Sequence, residues 1–345
     1  MIIPRIKSPP KLLSNKKLGK LCDNLPCIHF SEKTIFNPIL AMLLALSIYG
    51  CGSYRVNSFA ETPEDVASPD IDGEDWSKVQ AKKSLVKGWD YISGKLVQSG
   101  IPRNEVTNIF SSEEMPYWTP IPFKVRPIES QAIYRGLNSK QAHQNALQFY
   151  NSHKKYFQKA RARFGVEPEI ILAILQIETQ CGKNTGNEPV FYWLSRLVSA
   201  GFPPNLSYNL RTTKEIPKPS YQELKERSEW LEEEFMPHIL SLITMSKALG
   251  VSPMSIKGSK GGAIGLPQFL PGNIKKFGID GDGNGAINIF VPADAIFSVA
   301  NFLNYYGWKN GINLKAKTNV ILEYNRSSAY ADTVLKMASE LKRKM

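Results

Sequence analysis

From Trp89 onward, apolar residues recur every three or four positions, the period of helices that pack by one face. Trp89, Ile92 and Leu96 predict one helix, and a longer one is expected from Ser139 to Arg163, carrying Ala146, Phe149, Tyr150, Tyr156 and Phe157. Ser112 to Pro127 holds four prolines. It is expected to be irregular, because proline donates no backbone hydrogen bond and breaks helices. The clearest periodicity lies in Val166 to Cys181. There Pro168 suits a first helical turn, Glu169 suits the positive end of the dipole, and Gly182 offers a stop. Ile171, Ile174, Leu175 and Glu178 fall at i, i+3, i+4 and i+7, so a glutamate continues an apolar stripe. A further helix is expected from Leu231 to Leu249, with a kink or boundary at Pro237 and an end at Gly250. No internal repeat is visible, and the pattern is that of a mainly α protein.

The first fifty residues break this pattern. A basic stretch (Arg5, Lys7, Lys11, Lys16, Lys17, Lys20, Lys33) leads into the apolar run Ile39 to Tyr49. That run falls far short of the roughly 20 residues a spanning helix needs and suits the core of a signal peptide. It ends at Ile48-Tyr49-Gly50-Cys51-Gly52-Ser53, which resembles a bacterial lipobox and makes Cys51 the expected lipidation site. The bulky Tyr49 and the long leader depart from that pattern; an ordinary signal peptide or an uncleaved anchor are the alternatives. Cys22 and Cys27 fall in the leader, so a processed chain keeps only Cys181 beside Cys51 and forms no intramolecular disulfide. Residues 52–85, rich in Ser, Pro, Asp, Glu and Gly, read as a flexible tether. The expected organisation is therefore leader 1–51, tether 52–85 and one folded domain 86–345, its helical N-terminal part near 86–160 and its core near 161–345.

Composition narrows the partners. Hydrophobic residues make up 42% of the chain, which excludes wholesale disorder, and the net charge of +12 favours polyanions. There is no Arg-rich recognition helix, zinc-finger spacing or RNP-like motif, so nucleic acid is not expected as a partner. Two loops carry candidate chemistry. The Gly-rich run Lys257 to Phe269 lacks the Gly-Lys-Ser/Thr ending of a phosphate loop, and its glycines are expected to let backbone approach a ligand closely. Asp280-Gly281-Asp282-Gly283-Asn284-Gly285-Ala286 alternates oxygen ligands with glycine like an EF-hand loop; its twelfth position is Val291, and Asp294 stands at the fifteenth. On spacing alone a calcium loop and a metal-free Asp/Gly turn remain open. Glu178 is likewise ambiguous alone. Partial desolvation at a stripe's end favours a protonated carboxyl suited to general acid catalysis, but a glutamate at such an edge is more often solvated.

Five segments in order carry a resemblance. They are Ile177-Glu178-Thr179 with Gly182, Gly258-Ser259 through Gln268-Phe269 with Pro271, the Asp/Gly loop with Pro292 to Asn301, Gly307-Trp308, and Tyr324-Asn325-Arg326-Ser327 with Tyr330. Together they resemble the lytic transglycosylases of the membrane-bound B type, glycoside hydrolase family 103, and cover Trp89 to the C-terminus. The resemblance implies a lysozyme-like core with an additional N-terminal helical region and an EF-hand-like loop. It implies Glu178 as sole acid/base, with no catalytic cofactor: the carboxyl protonates the glycosidic oxygen after N-acetylmuramic acid, then takes the C6 hydroxyl proton as a 1,6-anhydro ring closes. Ser259, Gln268, Tyr324 and Asn325 are the implied substrate contacts. Asp280, Asp282, Asn284, the Ala286 carbonyl and Asp294 are the implied ligands of a structural calcium. The implied partners are peptidoglycan strands, a membrane reached through the lipid, and cell-wall synthesis or division proteins, in a periplasm-facing lipoprotein of the outer membrane. A hydrolytic muramidase and a non-catalytic wall-binding lipoprotein are the alternatives. Four departures are Cys181 where the family usually has an aromatic, Pro267 before Gln268 where glycine is common, Gly272-Asn273 in place of a Ser-rich pair, and the segment Phe191 to Pro219 with its four prolines and Gly201.

Overall fold

The computed structural model describes residues 3–4, 84–127, 134, 137 and 139–345. Apart from residues 3–4, the expected leader with Cys51 lies outside them, as does nearly all of the tether. Eleven α-helices occur among the described residues: α1 (Asp90–Gln98), α2 (Arg103–Ser111), α3 (Lys140–Phe164), α4 (Pro168–Thr179), α5 (Val190–Val198), α6 (Pro203–Thr212), α7 (Tyr221–Leu249), α8 (Pro271–Phe277), α9 (Pro292–Tyr305), α10 (Leu314–Tyr324) and α11 (Ser328–Lys342). Strand structure among these residues is limited to two antiparallel pairs of two residues, Ile3–Pro4 with Ala286–Ile287 and Glu188–Pro189 with Lys257–Gly258.

The helices pack as two lobes. In one, α4 lies against α3, α9 and α11, with α8 and α10 closing the group. In the other, α7 is the spine for α5 and α6. The aromatic contacts Trp89–Tyr192 and Phe110–Phe191 add α1 and α2 to this second lobe. The lobes meet where α8 packs on α7. Packing therefore divides the chain differently from the boundary expected near residue 160. α3 joins the core because its Phe157, Ala160 and Phe164 are buried toward α4 and α9, while α5 to α7 leave the core for the lobe begun by α1.

α4 is the axis of the first lobe. Every residue from Ile170 to Thr179 is buried, so the helix is enclosed all round and the stripe seen in the sequence is one side of it. Its start is tied down by Glu167, whose two carboxylate oxygens accept from Trp308 Nε1 and Lys317 Nζ, each at 2.6 Å. Burial alone would raise the Glu167 carboxyl; the Lys317 and Trp308 hydrogen bonds outweigh it and hold the group below its ordinary value. Its end departs from expectation: the helix stops at Thr179, and Gln180 rather than Gly182 takes the left-handed cap, with φ 52°.

The helix expected from Leu231 begins ten residues earlier, at Tyr221, and runs through Pro237. A capping box overrides the weaker signals: Ser220 Oγ accepts from Glu223 N at 3.2 Å, while the Glu223 carboxylate accepts from Ser220 N at 2.8 Å. The proline-rich stretch after α2 is irregular, as its composition predicts. Its backbone finds partners on α6 and just beyond: Asn205 and Asn209 accept from Ile121 N and Phe123 N, and Glu215 accepts from Val125 N.

Candidate active site

Glu178 sits one residue before the end of α4, with 6% of its surface exposed. Its neighbour Thr179 fixes that end. Thr179 Oγ1 lies 2.9 Å from the Leu266 carbonyl as donor and accepts from Gly182 N at 3.0 Å, joining the helix terminus to the Gly-rich loop. Gln180, Cys181 and Gly182 then follow with positive φ, a sharp exit that keeps the chain off the carboxylate.

The opposite wall comes from the turn between α10 and α11. Asn325 Oδ1 accepts from Ser327 N at 3.2 Å, and Ser327 Oγ caps α11 by accepting from Tyr330 N at 3.1 Å. This turn lays α11 along α4 and brings the Tyr330 hydroxyl to Glu178, where it donates to Oε1 at 2.7 Å. Tyr324 stacks parallel to Tyr330, ring centroids 6.4 Å apart. It is fully buried and donates to the Pro267 carbonyl at 2.5 Å. Burial, and after it the charge of Glu178, push the Tyr324 phenol well above its ordinary value, so it stays a donor.

The four expected substrate contacts have different tasks: Tyr324 and Asn325 belong to the turn at this corner, while Gln268 and Ser259 belong to the Gly-rich loop. Tyr324 lies behind the surface and braces Pro267. Gln268, in a left-handed conformation with φ 49°, donates both amide protons to backbone, at Gly265 O (2.9 Å) and Thr185 O (3.2 Å). Ser259 Oγ accepts from Ala263 N at 3.2 Å. Asn325 is 1% exposed, and its amide nitrogen has no hydrogen-bond partner among the described residues.

The loop's glycines have steric reasons. A Cβ on Gly258 would lie 2.0 Å from the Ala263 carbonyl oxygen, and one on Gly265 would meet Ile289 at 2.7 Å. Gly272 answers to a histidine instead: His238, fully buried in α7, accepts from Gly272 N through Nδ1 at 3.1 Å, where a Cβ would sit 2.7 Å away. Burial lowers the His238 pKa to about 3, so the ring is the neutral acceptor this contact requires. Cys181 points inward, its thiol 3.3 Å from Gln176 Oε1, and burial pushes it up to about 12, which keeps it an unreactive thiol.

Sequence reasoning left Tyr330 out of the candidate site residues, although it stands in the segment that carried the resemblance. Its spacing after Ser327 is the signal that could have placed it, since a capped helix start fixes the direction of its third residue. The Glu167 clamp and the His238 contact left no such signal, because their partners lie far away in sequence.

At the Asp/Gly loop the carboxylates of Asp280, Asp282 and Asp294 come together, ligand atoms within 4.8 Å of one another. Asp280 Oδ1 accepts from Gly283 N (2.7 Å) and Asn284 N (3.1 Å), and Asn284 Oδ1 accepts from Ala286 N at 2.9 Å. These contacts coil the loop so that its oxygens converge. Asp294, in the first turn of α9, accepts from Gly281 N at 2.8 Å and from Asn288 N at 2.6 Å, and is wholly buried. Burial is the main cause that raises its carboxyl above the ordinary value, with the charges of Asp282 and Asp280 adding to it. Three like charges held this close, all hard oxygen donors, fit a calcium-sized cation. Asn288, at the ninth position of the loop, is an oxygen donor the spacing argument did not include.

The candidate site therefore consists of a buried glutamate at a helix end, a tyrosine on its carboxylate and a glycine-rich loop tied to that end through Thr179. Residues 87–320 match the transglycosylase SLT domain family (SLT_2), and the chain belongs to it. Among its relatives, membrane-bound lytic murein transglycosylase B of Escherichia coli K12 is 29% identical over 176 residues, which is 51% of this chain and 41% of that protein. The match thus spans less than half of that relative. The Escherichia coli lytic transglycosylase Slt35, solved with bulgecin A and with calcium, superposes at a TM-score of 0.55 with 20% identity, covering 75% of this chain and 93% of that one. SltB1 from Pseudomonas aeruginosa gives 0.56 with 21% identity, covering 76% and 99%. These likenesses bear out the mainly helical, lysozyme-like fold expected from the sequence.

Proposed function

We propose that this protein is a lytic transglycosylase that cleaves the β-1,4 bond between N-acetylmuramic acid and N-acetylglucosamine in peptidoglycan and leaves 1,6-anhydro ends. The observation that carries the reading is the buried Glu178 carboxyl with the Tyr330 hydroxyl 2.7 Å from Oε1. Family membership and the names of the relatives support it. Glu178 acts first as acid, giving its proton to the glycosidic oxygen, and then as base, removing the proton of the C6 hydroxyl that closes the ring. Tyr330 holds Oε1 and steadies the carboxylate left after the first transfer. The partly free Ser259 hydroxyl and the Asn325 amide orient the sugar's polar groups, and Gln268 shapes the loop beside them.

The test is mass spectrometry of products after purified peptidoglycan is incubated with the wild-type protein and with Glu178→Gln. Muropeptides lighter by one water than hydrolysis products, absent with the variant, are the expected result. Reducing ends would mean a hydrolytic muramidase, and no products from either protein would mean a binding function.

Two further features belong to the reading. Asp280, Asp282, Asn284, the Ala286 carbonyl and Asp294 hold a structural calcium, which neutralises the loop and takes no part in the chemistry; the three converging carboxylates support this, as does the calcium with which Slt35 was solved. Cys51 is lipidated and anchors the protein facing the periplasm, at the outer membrane. The relative's description as membrane-bound supports the anchor. Among the described residues no helix is long and apolar enough to cross a membrane.

A further inference from the structure

Charge is divided unevenly between the lobes. Residues 139–183 and 256–345, the lobe of α3, α4 and α8 to α11, hold 19 Lys and Arg against 9 Asp and Glu. Residues 84–127 and 184–255, the other lobe, hold 12 of each. Most acids of the basic lobe are engaged internally: Glu178 in the site, three aspartates in the loop, Glu167 with Lys317, and Glu169 with Lys342 at 3.2 Å. The surplus is therefore displayed at the surface.

Its densest part is the second half of α3. Lys154, Lys155, Lys159, Arg161 and Arg163 are all exposed, with no acid among them. At about 100° per residue they spread over roughly 200° of the helix surface outside the buried Phe157, Ala160 and Phe164, with Arg161 flanking that stripe. Among the described residues none of the five forms an ion pair. The helix dipole accounts for the two arginines in the last turn, but not for the lysines before them. The surface continues past the helix end. Phe164 O accepts from Asn304 Nδ2 at 3.1 Å, and Gly165 lies against Lys309 and Asn310. The chain following those contacts carries Tyr305, 60% exposed although its ring packs on Phe277 and Tyr306 and under Lys276, and Leu314, 68% exposed, with Lys315 next to it.

We propose that this end of the basic lobe is a docking surface for an anionic phospholipid bilayer. Cations around a projecting tyrosine and leucine match a bilayer interface, where the charges meet phosphate and the apolar side chains enter the headgroup layer. An acidic wall polymer would answer the cations but leave the exposed Leu314 without a use. The patch runs to the end of α3, which lies four positions before α4 begins, while Glu178 stands near the far end of α4, about 15 Å along that helix. Seated this way, the domain turns its catalytic end from the membrane toward the wall; that orientation rests on the proposed function, whereas the docking does not.

The test is co-sedimentation of the processed chain, residues 51–345, carrying Cys51→Ala, so that neither a lipid anchor nor the basic and apolar leader contributes. The vesicles contain phosphatidylglycerol and phosphatidylcholine, or phosphatidylcholine alone. Association with the anionic vesicles is expected to be at least about tenfold stronger and to fall as salt rises. The triple variant Lys155→Glu, Arg161→Glu, Lys309→Glu is expected to lose that preference while digesting isolated peptidoglycan as before. Should circular dichroism show it unfolded, Gln replaces Glu at the same three positions. Tyr305→Ser with Leu314→Ser is expected to weaken association at every salt concentration. Equal binding of the parent protein to both vesicle types would overturn the proposal, as would undiminished binding by the charge variant. Sedimentation with isolated sacculi that the charge variant loses, without any vesicle preference, would assign the patch to the wall and overturn it as well.

Discussion

Glu178 owes its setting to two side chains, one from a distant part of the chain and one beside it. Tyr330 donates to its Oε1, and a hydrogen bond to a charged group contributes about 1.5–3 kcal/mol. Tyr330→Phe is accordingly expected to lower turnover of peptidoglycan roughly 10- to 100-fold with little change in melting temperature; unchanged kinetics would remove Tyr330 from the mechanism. Thr179 works by position. Replacing it with valine keeps the shape, leaves the Leu266 carbonyl and the Gly182 amide without their partner, and is expected to destabilise the fold by about 1–3 kcal/mol in denaturant melts. His238 gives a pH dependence with a definite sign. Its folded pKa of about 3 lies below the ordinary histidine value, so the unfolded chain binds the proton more readily. Stability from this group is complete above roughly pH 6.5 and falls by about 1.4 kcal/mol per unit as the pH drops below that. His238→Phe is expected to flatten the acid limb of a stability–pH curve, at the cost of the Gly272 contact.

Among the elements, α4 and the Gly-rich loop are the most legible in the sequence. The helix periodicity, Pro168 and the acidic first turn predict α4 to within two residues at each end, and the loop's glycines signal close backbone approach. α7 is longer than its pattern suggests, because Pro237 and the charged run Glu232-Glu233-Glu234 obscure a helix whose start is fixed by Ser220 and Glu223. The calcium loop belongs at this scale too. If the three aspartates hold the ion, removing it leaves like charges packed within 4.8 Å. Chelator is then expected to lower the melting temperature, with added calcium restoring it and magnesium restoring it poorly; an unchanged melt would mean the loop folds as a metal-free turn.

For the molecule as a whole, a basic lobe and an electrically balanced one meet at the α7–α8 contact, with the candidate site at one end of α4. The sequence's net charge of +12 carries no hint of this division, since basic residues are spread along the chain and only folding collects them. Salt should therefore act on association with surfaces much more than on stability, because the exposed cations in the second half of α3 have no ion-pair partners among the described residues to lose.

What the chain alone determined is local: which segments are helical, where prolines forbid helix, which glycines must stay small, and a glutamate at the end of an apolar stripe. Those follow from backbone sterics and periodicity, which act within a few residues. Tertiary structure decided the rest. It enclosed α4 on all sides, set Tyr330 against a glutamate 152 positions away, turned Tyr324 from a surface contact into a brace, and gathered the cations onto one lobe. Each of these depends on contacts between residues far apart in sequence, whose geometry no local pattern encodes.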